Sequence, residues 1–474
     1  MQKRFPASVL KAFVIAGGVA AAGLAPLKAA ADNLTDAMIG AYRTSGLLEQ
    51  NRALLRVTDE DAAIALSALR PLVQWTIDAN HSYSRGPSQG GFFSESTRNT
   101  LSTQLQLSQL LYDGGATRLR RQAAQELVLA TRQQLVSVEQ QVLFSAVQAY
   151  VGVLQAQEIV ALRQNNRRLL QEELKAAQDR FEVGEVTRTD VALAESRVAA
   201  ARASVTDAQG DLLTAKATYA QVVGRAPGPI AGQPSLPPQV SPLNKAQAIA
   251  LRNQPDLLSQ QRSVKAADIL VQAFTRDLGP SVSLTAQAGV SEDLNDGDGT
   301  SNTTGIGIRM TQDLYTGGRN AAQRRQAIAR ADAERGSLVT VQRQVQQAVS
   351  AAYFDAESAR ASLISSNERI RAAQVAFDGI REEATLGART TLDVLQAEQE
   401  LLDAQTERVQ ARANQATAAY RLLQAQGLLT AAHLGLPVEI YDPALYYNLV
   451  KDAPAHISKR GKDLDRVLKA LRRN

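Results

Sequence analysis

Two short stretches hold the residues whose types and spacing could do chemistry. They read VGEVTRTDV at positions 183–191 and LGARTTLDV at positions 386–394. Each has one glycine, threonine hydroxyls and an aspartate placed just before an apolar pattern resumes. Glycine allows a left-handed turn, and Thr or Asp side chains accept hydrogen bonds from the first amides of a helix. The two stretches therefore predict the tips of two helical hairpins, with Asp190 and Asp393 as equivalent carboxylates.

Other chemistries find little support in the sequence. The three histidines, His81, His433 and His456, are far apart, and the chain has no cysteine, so no metal motif is discernible. The segment 293–299 resembles a calcium loop, but Thr304 stands where a bidentate Glu would fall, which favours a surface hairpin loop. No phosphate-binding glycine loop with lysine and no acid/base or nucleophile constellation occurs. We predict that the chain is not an enzyme and binds no cofactor or metal.

Composition and the N-terminus indicate an exported, mostly helical protein. Aromatic residues make up 4% of the chain, whereas Ala, Gln, Leu, Arg and Glu fill long segments. Lys3 and Arg4 precede an apolar run, and 29–31 are alanines, which predicts a signal peptide over 1–31; a retained signal anchor stays open. The net charge of +5 lies partly in the basic tail, and we expect no nucleic-acid binding.

The elements that must hold the tips are long helices and short amphipathic strands. A helical pattern from 33 to 69 is followed by alternating apolar and polar residues over 73–80 and 101–108, with a turn-rich segment between them, which predicts a β-hairpin. A helical pattern of some 70 residues, in one or two pieces, then reaches Gly184. Beyond this tip, apolar residues alternate in steps of three and four, as in a left-handed coiled coil. They are Val191, Ala194, Val198, Ala201, Val205, Ala208, Leu212, Ala215, Tyr219 and Val222.

The whole plan is then repeated. A helix is predicted from about 244 to 277, and alternating patterns over 282–290 and 306–310 flank a polar loop at 292–302. Tyr112 and Tyr315, each followed by x-Gly-Gly, lie 203 residues apart, as do Gly184 and Gly387. We therefore divide the chain into a signal peptide (1–31), a first repeat (32–224), a proline-rich connector (225–243), a second repeat (244–437) and a tail (438–474) with one short amphipathic helix.

Four strands cannot close a barrel in a membrane, since transmembrane barrels need at least ~8 strands to leave no open edge in lipid. Two copies would supply eight strands and three copies would supply twelve. Because helices flank each strand pair on the same side, such a barrel would continue into a cylinder of helices. Either several copies build a duct, or the strands do not lie in a membrane.

The order helix, strand, strand, long helix, tip, helix, written twice, resembles the TolC-like outer-membrane efflux proteins. The Tyr-Asp-Gly-Gly and Tyr-Thr-Gly-Gly turns and the two tip motifs carry the resemblance, which covers nearly all of the chain after 31. It implies a mainly α fold with a small β part: a trimeric 12-stranded outer-membrane β-barrel continuing into a long periplasmic α-helical coiled-coil barrel. The connector and tail would form an equatorial belt. The implied partners are outer-membrane lipid, a periplasmic adaptor and an inner-membrane transporter.

The resemblance also assigns roles at the tips. Asp393 would project a carboxylate into the pore, where three copies form a ring that attracts cations. Arg389 would reach a neighbouring hairpin near Thr189 and Asp190 and hold the tips shut. Helix capping is the alternative role of both aspartates. The turns would also contact the adaptor, through Val183, Gly184, Glu185, Leu386, Gly387 and Ala388.

Two positions depart from the family pattern. Gln396 stands where the gate often has a second aspartate, and Ala384 stands where it has an aromatic residue. The implied function is a passive outer-membrane duct of a tripartite efflux or type I secretion system, gated at the tips and opened by the adaptor and pump. A drug, a metal ion or a polypeptide would fit such a duct. A periplasmic coiled-coil adaptor or scaffold is the alternative function, although an adaptor would normally have one helical hairpin and no paired β-hairpins.

Overall fold

A computed structural model describes residues 32–87, 93–230, 232–238, 242–295 and 299–471, so the predicted signal peptide lies outside the described residues. The elements of the first repeat are α1 (Leu34–Thr44), α2 (Gly46–Ser67), β1 (Leu72–Pro87), β2 (Phe93–Tyr112), α3 (Ala116–Glu182) and α4 (Arg188–Val223). Those of the second are α5 (Leu243–Asn253), α6 (Pro255–Arg276), β3 (Ser281–Asp293), β4 (Thr300–Thr311), α7 (Arg319–Thr385) and α8 (Thr391–Ala425). The tail forms α9 (Pro443–Val450) and α10 (Lys459–Leu471).

The long helices α3 and α7 have the same length, 67 residues each. Each begins after a glycine with positive φ, Gly115 or Gly318, and ends before another, Gly184 or Gly387. These glycines allow the backbone to turn where a side chain would be strained. At ~1.5 Å per residue, each helix is on the order of 100 Å long. The first long helical pattern is therefore one continuous helix rather than two.

Each long helix packs against a pair of shorter helices of its own repeat. Helix α3 pairs with α2 near the sheet and with α4 towards the tip, and α7 pairs with α6 and α8 in the same way. Helix α3 also packs against α6 and α8, which joins the two repeats. The coiled-coil face predicted along α4 is buried at Ala194, Val198, Ala201, Val205 and Ala208. Small residues at these positions allow close approach of the helix backbones.

The largest core lies where the short helices meet. It joins α1, α3, the end of α4 and the segment after α8, with Tyr150, Tyr219 and Leu429 fully buried. Beside it, Asp32 receives hydrogen bonds from Arg225 Nη2 at 2.6 Å and from the Gly228 amide at 2.8 Å. Burial opposes ionisation, but these bonds outweigh it and leave the pKa of Asp32 below its ordinary value. The start of the described chain is thereby fastened to the connector.

The four strands form one antiparallel sheet in the order β1-β2-β3-β4. Leu105 of β2 pairs with Trp75 of β1 and with Ala288 of β3, so apolar residues of neighbouring strands share one face. The strands are longer than predicted: β1 extends to Pro87, which pairs with Phe93, and β3 extends to Asp293. Much of the predicted turn-rich segment and both ends of the predicted polar loop are thus strand, because the ladder of each hairpin continues further than predicted.

Three helical predictions are corrected by the structure. The helix predicted over 33–69 is two helices separated at Ser45, whose side chain caps α2. The helix predicted over 244–277 is divided at Gln254, because Pro255 begins α6 as its first residue. The tail has two helices rather than one. Among the described residues, no helix is both long enough and apolar enough to cross a membrane.

Candidate functional site

The two predicted tips have the same backbone. At the first, the Glu185 amide donates to the Arg180 carbonyl at 2.9 Å, and at the second the Ala388 amide donates to the Glu383 carbonyl at 2.9 Å. The glycine between each pair has φ near +80°, 77° at Gly184 and 80° at Gly387. This is the hydrogen-bond pattern by which a left-handed glycine ends a helix.

A capping box begins the returning helix at each tip. Asp190 Oδ2 accepts from the Thr187 amide at 2.9 Å, and Asp393 Oδ2 accepts from the Thr390 amide at 3.0 Å. In return, the threonine hydroxyls accept from the aspartate amides, at 3.4 Å and 3.2 Å. These bonds from threonine lower the pKa of both carboxyl groups, so both are ionised at neutral pH. Both aspartates cap a helix, and each places a negative charge at the tip.

The cation at the second tip pairs within its own hairpin. Arg389 Nε donates to Glu383 Oε2 at 2.8 Å, and this hydrogen bond raises the pKa of Arg389. Among the described residues of one chain, no hydrogen bond or ion pair joins Arg389 to Thr189 or Asp190. The contact of Arg389 with a neighbouring hairpin, which the resemblance implies, therefore remains a prediction about neighbouring copies.

The outermost residues of both turns are exposed. Val183 and Leu386 have equivalent positions and are 71% and 81% exposed. Glu185 and Ala388, on the other side of each glycine, are exposed as well. Each tip thus presents one apolar side chain that its own chain covers only slightly.

Just above the tips, side chains of one hairpin pack on the other. Leu395 of α8 lies in a cluster with Leu170 of α3 and Val198 of α4. Leu169 of α3 packs against the cluster formed by Phe377, Val394, Ala397 and Leu401 of the second hairpin. The relative position of the two tips is therefore set by apolar contacts across α3 and α8.

A polar group is buried at this same junction. Glu398 of α8 is only 3% exposed; its Oε1 accepts from Asn166 Nδ2 of α3 at 2.7 Å, and its Oε2 has no partner within the described chain. Burial, and then the nearby Glu173, raise the pKa of Glu398 to about 7. A second polar link, from Arg381 Nε to Glu173 Oε1 at 3.3 Å, also joins the hairpins.

A cleft of about 190 Å³ lies between α3 and the second hairpin at the level of these links. Ala176 and Arg180 line it from α3, and Ala384 and Thr391 line it from the other side. Ala384, at which the resemblance implies an aromatic residue, contributes only a short side chain to the wall of this cleft.

Sequence reasoning located the turns, the capping threonines and the charges of the tips, but it missed the junction between the hairpins. Glu398 follows Val394 by four residues and precedes Leu401 by three, so helical spacing places it on the buried face of α8. A carboxylate at such a position was the available signal. Among the described residues, no group of three or more His, Asp or Glu side chains could hold a metal ion.

Comparison with known proteins agrees with this architecture. Residues 44–225 and 248–428 both match the family described as outer membrane efflux protein, one match for each repeat. The chain is 40% identical over 448 residues to outer membrane efflux protein BepC of Brucella suis biovar 1 (strain 1330), covering 94% of this chain and 95% of that protein. Alkaline protease secretion protein AprF of Pseudomonas aeruginosa is 29% identical over 389 residues, covering 79% and 80%. The solved CmeC outer membrane channel of Campylobacter jejuni superposes with a TM-score of 0.74 at 17% identity, covering 89% of each chain.

Proposed function

Because the chain belongs to the outer membrane efflux protein family, we propose that it is the outer-membrane duct of an efflux or type I secretion system. The names of its relatives include both an efflux protein and a protease secretion protein, so either kind of cargo suits the fold. We assign the chain no catalytic role. Since no nucleotide-binding loop is discernible in the sequence, energy for export comes from a partner.

The observation that carries this proposal is the two-faced sheet. Val73, Trp75 and Ile77 of β1 lie on the same face as Ile306 and Ile308 of β4, and all five are more than half exposed. The opposite face is polar, and Gln104 donates to Gln287 across it at 3.2 Å. A transmembrane barrel needs an apolar surface towards lipid and a polar surface towards a water-filled lumen.

The sheet also requires further copies. Strands β1 and β4 are the two edges, and each has backbone groups that no strand in the described part of the chain pairs. In lipid these groups must be paired, and four strands are too few to close on themselves. We infer a homotrimer whose twelve strands close the barrel and whose α3, α4, α7 and α8 helices continue it as a periplasmic tunnel.

The tips are the proposed gate and docking surface. In a trimer, three Asp393 carboxylates would surround the entrance and favour cations. Arg389 would exchange Glu383 for a group near Thr189 and Asp190 of the neighbouring hairpin when the tips close. The exposed turns at Val183–Glu185 and Leu386–Ala388 would bind a periplasmic adaptor, which couples the duct to an inner-membrane transporter.

Single-channel conductance in planar bilayers, with the oligomeric mass determined in the same detergent, tests the proposal. We expect a trimer that inserts and gives a small, cation-selective conductance. A monomer that never inserts would refute the duct and favour the alternative of a periplasmic adaptor or scaffold. An inserted trimer without ion preference would support the duct but contradict the proposed ring of Asp393 carboxylates.

A further inference from the structure

The C-terminal tail runs along α2 towards the sheet and reaches its base at Ala453. Tyr446 of α9 donates to Glu60 of α2 at 2.6 Å, and the carbonyl of Ala453 accepts from Arg70 Nη1 at 2.7 Å. Arg70 precedes the first residue of β1, Leu72, by two positions. Ala453 has a positive φ of 40°, so the chain turns sharply there before α10. Helix α10 therefore starts at the junction between helices and sheet.

Helix α10 is amphipathic and strongly basic. From Lys459 to Leu471 it has five Lys or Arg residues and two Asp residues. Apolar residues recur at 464, 467, 468 and 471, the spacing of one helix face, while Lys462, Arg466 and Lys469 fall on the opposite face.

The described part of the chain covers the apolar face of α10 only in part, since Leu464 and Leu468 are half-buried. Val467 is 42% exposed, and Ile457, in the turn before the helix, is 73% exposed. The packing of α10 is chiefly against α9 and that turn, where Gly461 lies against the Ala455 carbonyl. Among the described residues, packing on the long helices therefore does not account for this helix.

We propose that α10 lies on the membrane surface at the periplasmic end of the barrel, with its apolar face among the lipids and its cations on anionic phospholipid headgroups. The proposal rests on the proposed function, because it needs the sheet to be in the membrane. An interfacial helix has the combination found here: a narrow apolar face, cations opposite to it and a low overall hydrophobicity. Long Lys and Arg side chains reach headgroups while their stems stay on apolar surface.

The absence of cysteine makes a site-specific test possible. The full-length protein with Val467→Cys, labelled with an environment-sensitive fluorophore, is placed in nanodiscs containing phosphatidylglycerol and lipids that carry a quencher on the upper part of the acyl chain. Asp465→Cys, on the polar side of the same helix, and Leu213→Cys, 67% exposed on α4, are the matched controls. Trp75 of β1, the single tryptophan, reports separately whether the sheet is in lipid, through quenching by brominated lipids.

We expect the label at 467 to be quenched by lipid and the labels at 465 and 213 to be unaffected. Lys462→Glu with Lys469→Glu should reduce the lipid-bound population on the order of tenfold, and high salt should act in the same direction. Suppose that Trp75 is quenched but the label at 467 is not, either because the label stays in water or because protein shields it. The inference about α10 is then wrong, whereas the proposed duct is still supported. If Trp75 itself is not quenched by lipid, the proposed function fails first.

Discussion

Replacing Glu398 by glutamine should stabilise the junction between the two hairpins, and more so at high pH. The carboxyl is buried among Asn166 and Glu173 of α3, with Arg197 of α4 and Arg381 of α7 near it. Glutamine has nearly the same shape and keeps an acceptor for Asn166, but it carries no charge. The substitution therefore isolates the cost of ionising this buried group.

The magnitude follows from proton linkage. The pKa of Glu398 is about 7 in the folded chain, against an ordinary value of 4.5. Between these values the folded state holds a proton that the unfolded state has released, so stability falls as pH rises from 4.5 to about 7 and is then constant. At about 1.4 kcal/mol for each tenfold change in proton affinity, the ionised group costs the junction about 3 kcal/mol.

Hydrogen exchange measures this locally. Amides of α3 and α8 around Leu170 and Leu395 should be better protected in Glu398→Gln than in the unchanged protein, by about 3 kcal/mol of opening free energy at about pH 8. The difference should disappear near the ordinary pKa of the group. Glu400→Gln, an exposed change two residues further along the same helix, is the control and should have no such effect.

Two results would refute the reasoning. Equal protection of the variant and the unchanged protein at both pH values would mean that Glu398 is hydrated and titrates normally. The same gain in Glu400→Gln would mean that removal of negative charge from α8, rather than burial, is the cause. If the reasoning holds, conductance of the unchanged duct should also rise with pH over the same range, because a weaker junction lets the tips separate.

The remaining predictions concern the tips and the turns. Arg389→Ala should raise the single-channel conductance, because the closed tips lose the guanidinium group that holds them together. An unchanged conductance would contradict this role of Arg389. Asp393→Asn should lower cation selectivity in reversal-potential measurements, whereas Asp190→Asn, which breaks an equivalent capping box, should not; equal effects would leave capping as the shared role. Gly427→Ala should destabilise the chain more than Gly184→Ala in thermal unfolding, by about 2 kcal/mol. Both glycines have φ near +78°, but a Cβ at 427 would lie 2.5 Å from a backbone carbonyl and one at 184 meets open space.

The sequence was sufficient for features that depend on near neighbours. The glycines at 184 and 387, the capping threonines and the spacing along α4 each predicted structure that the chain adopts. The break between α5 and α6 at Gln254 could also have been predicted, since a proline disfavours helical backbone at the residue before it. Each of these features depends on interactions within a few residues, so it can be predicted without knowledge of the tertiary fold.

Features set by distant segments were not predicted. Pro87 suggested a turn, yet it ends β1, because an edge strand tolerates a residue without an amide donor. The raised pKa of Glu398 depends on burial against α3, a helix more than 200 residues away, and on Glu173 of that helix. Likewise, Arg389 lies six residues from Glu383, but only the geometry of the turn brings their side chains together.

The unequal β-hairpins have a consequence for the outer mouth of the duct. Strand β3 pairs with β2 only from Thr100 onwards, and the next residues, Leu294 and Asn295, bond to β2 no further than Thr97. Residues 93–96 of β2 and their partners in β1 therefore extend past the described part of the second hairpin as a two-stranded ribbon, on the order of 10 Å at ~3.3 Å per residue. In a trimer, tall and short hairpins would alternate around the rim. Three β1–β2 ribbons would then protrude from the extracellular face. A phage or an antibody approaching the cell would contact these ribbons before other parts of the protein.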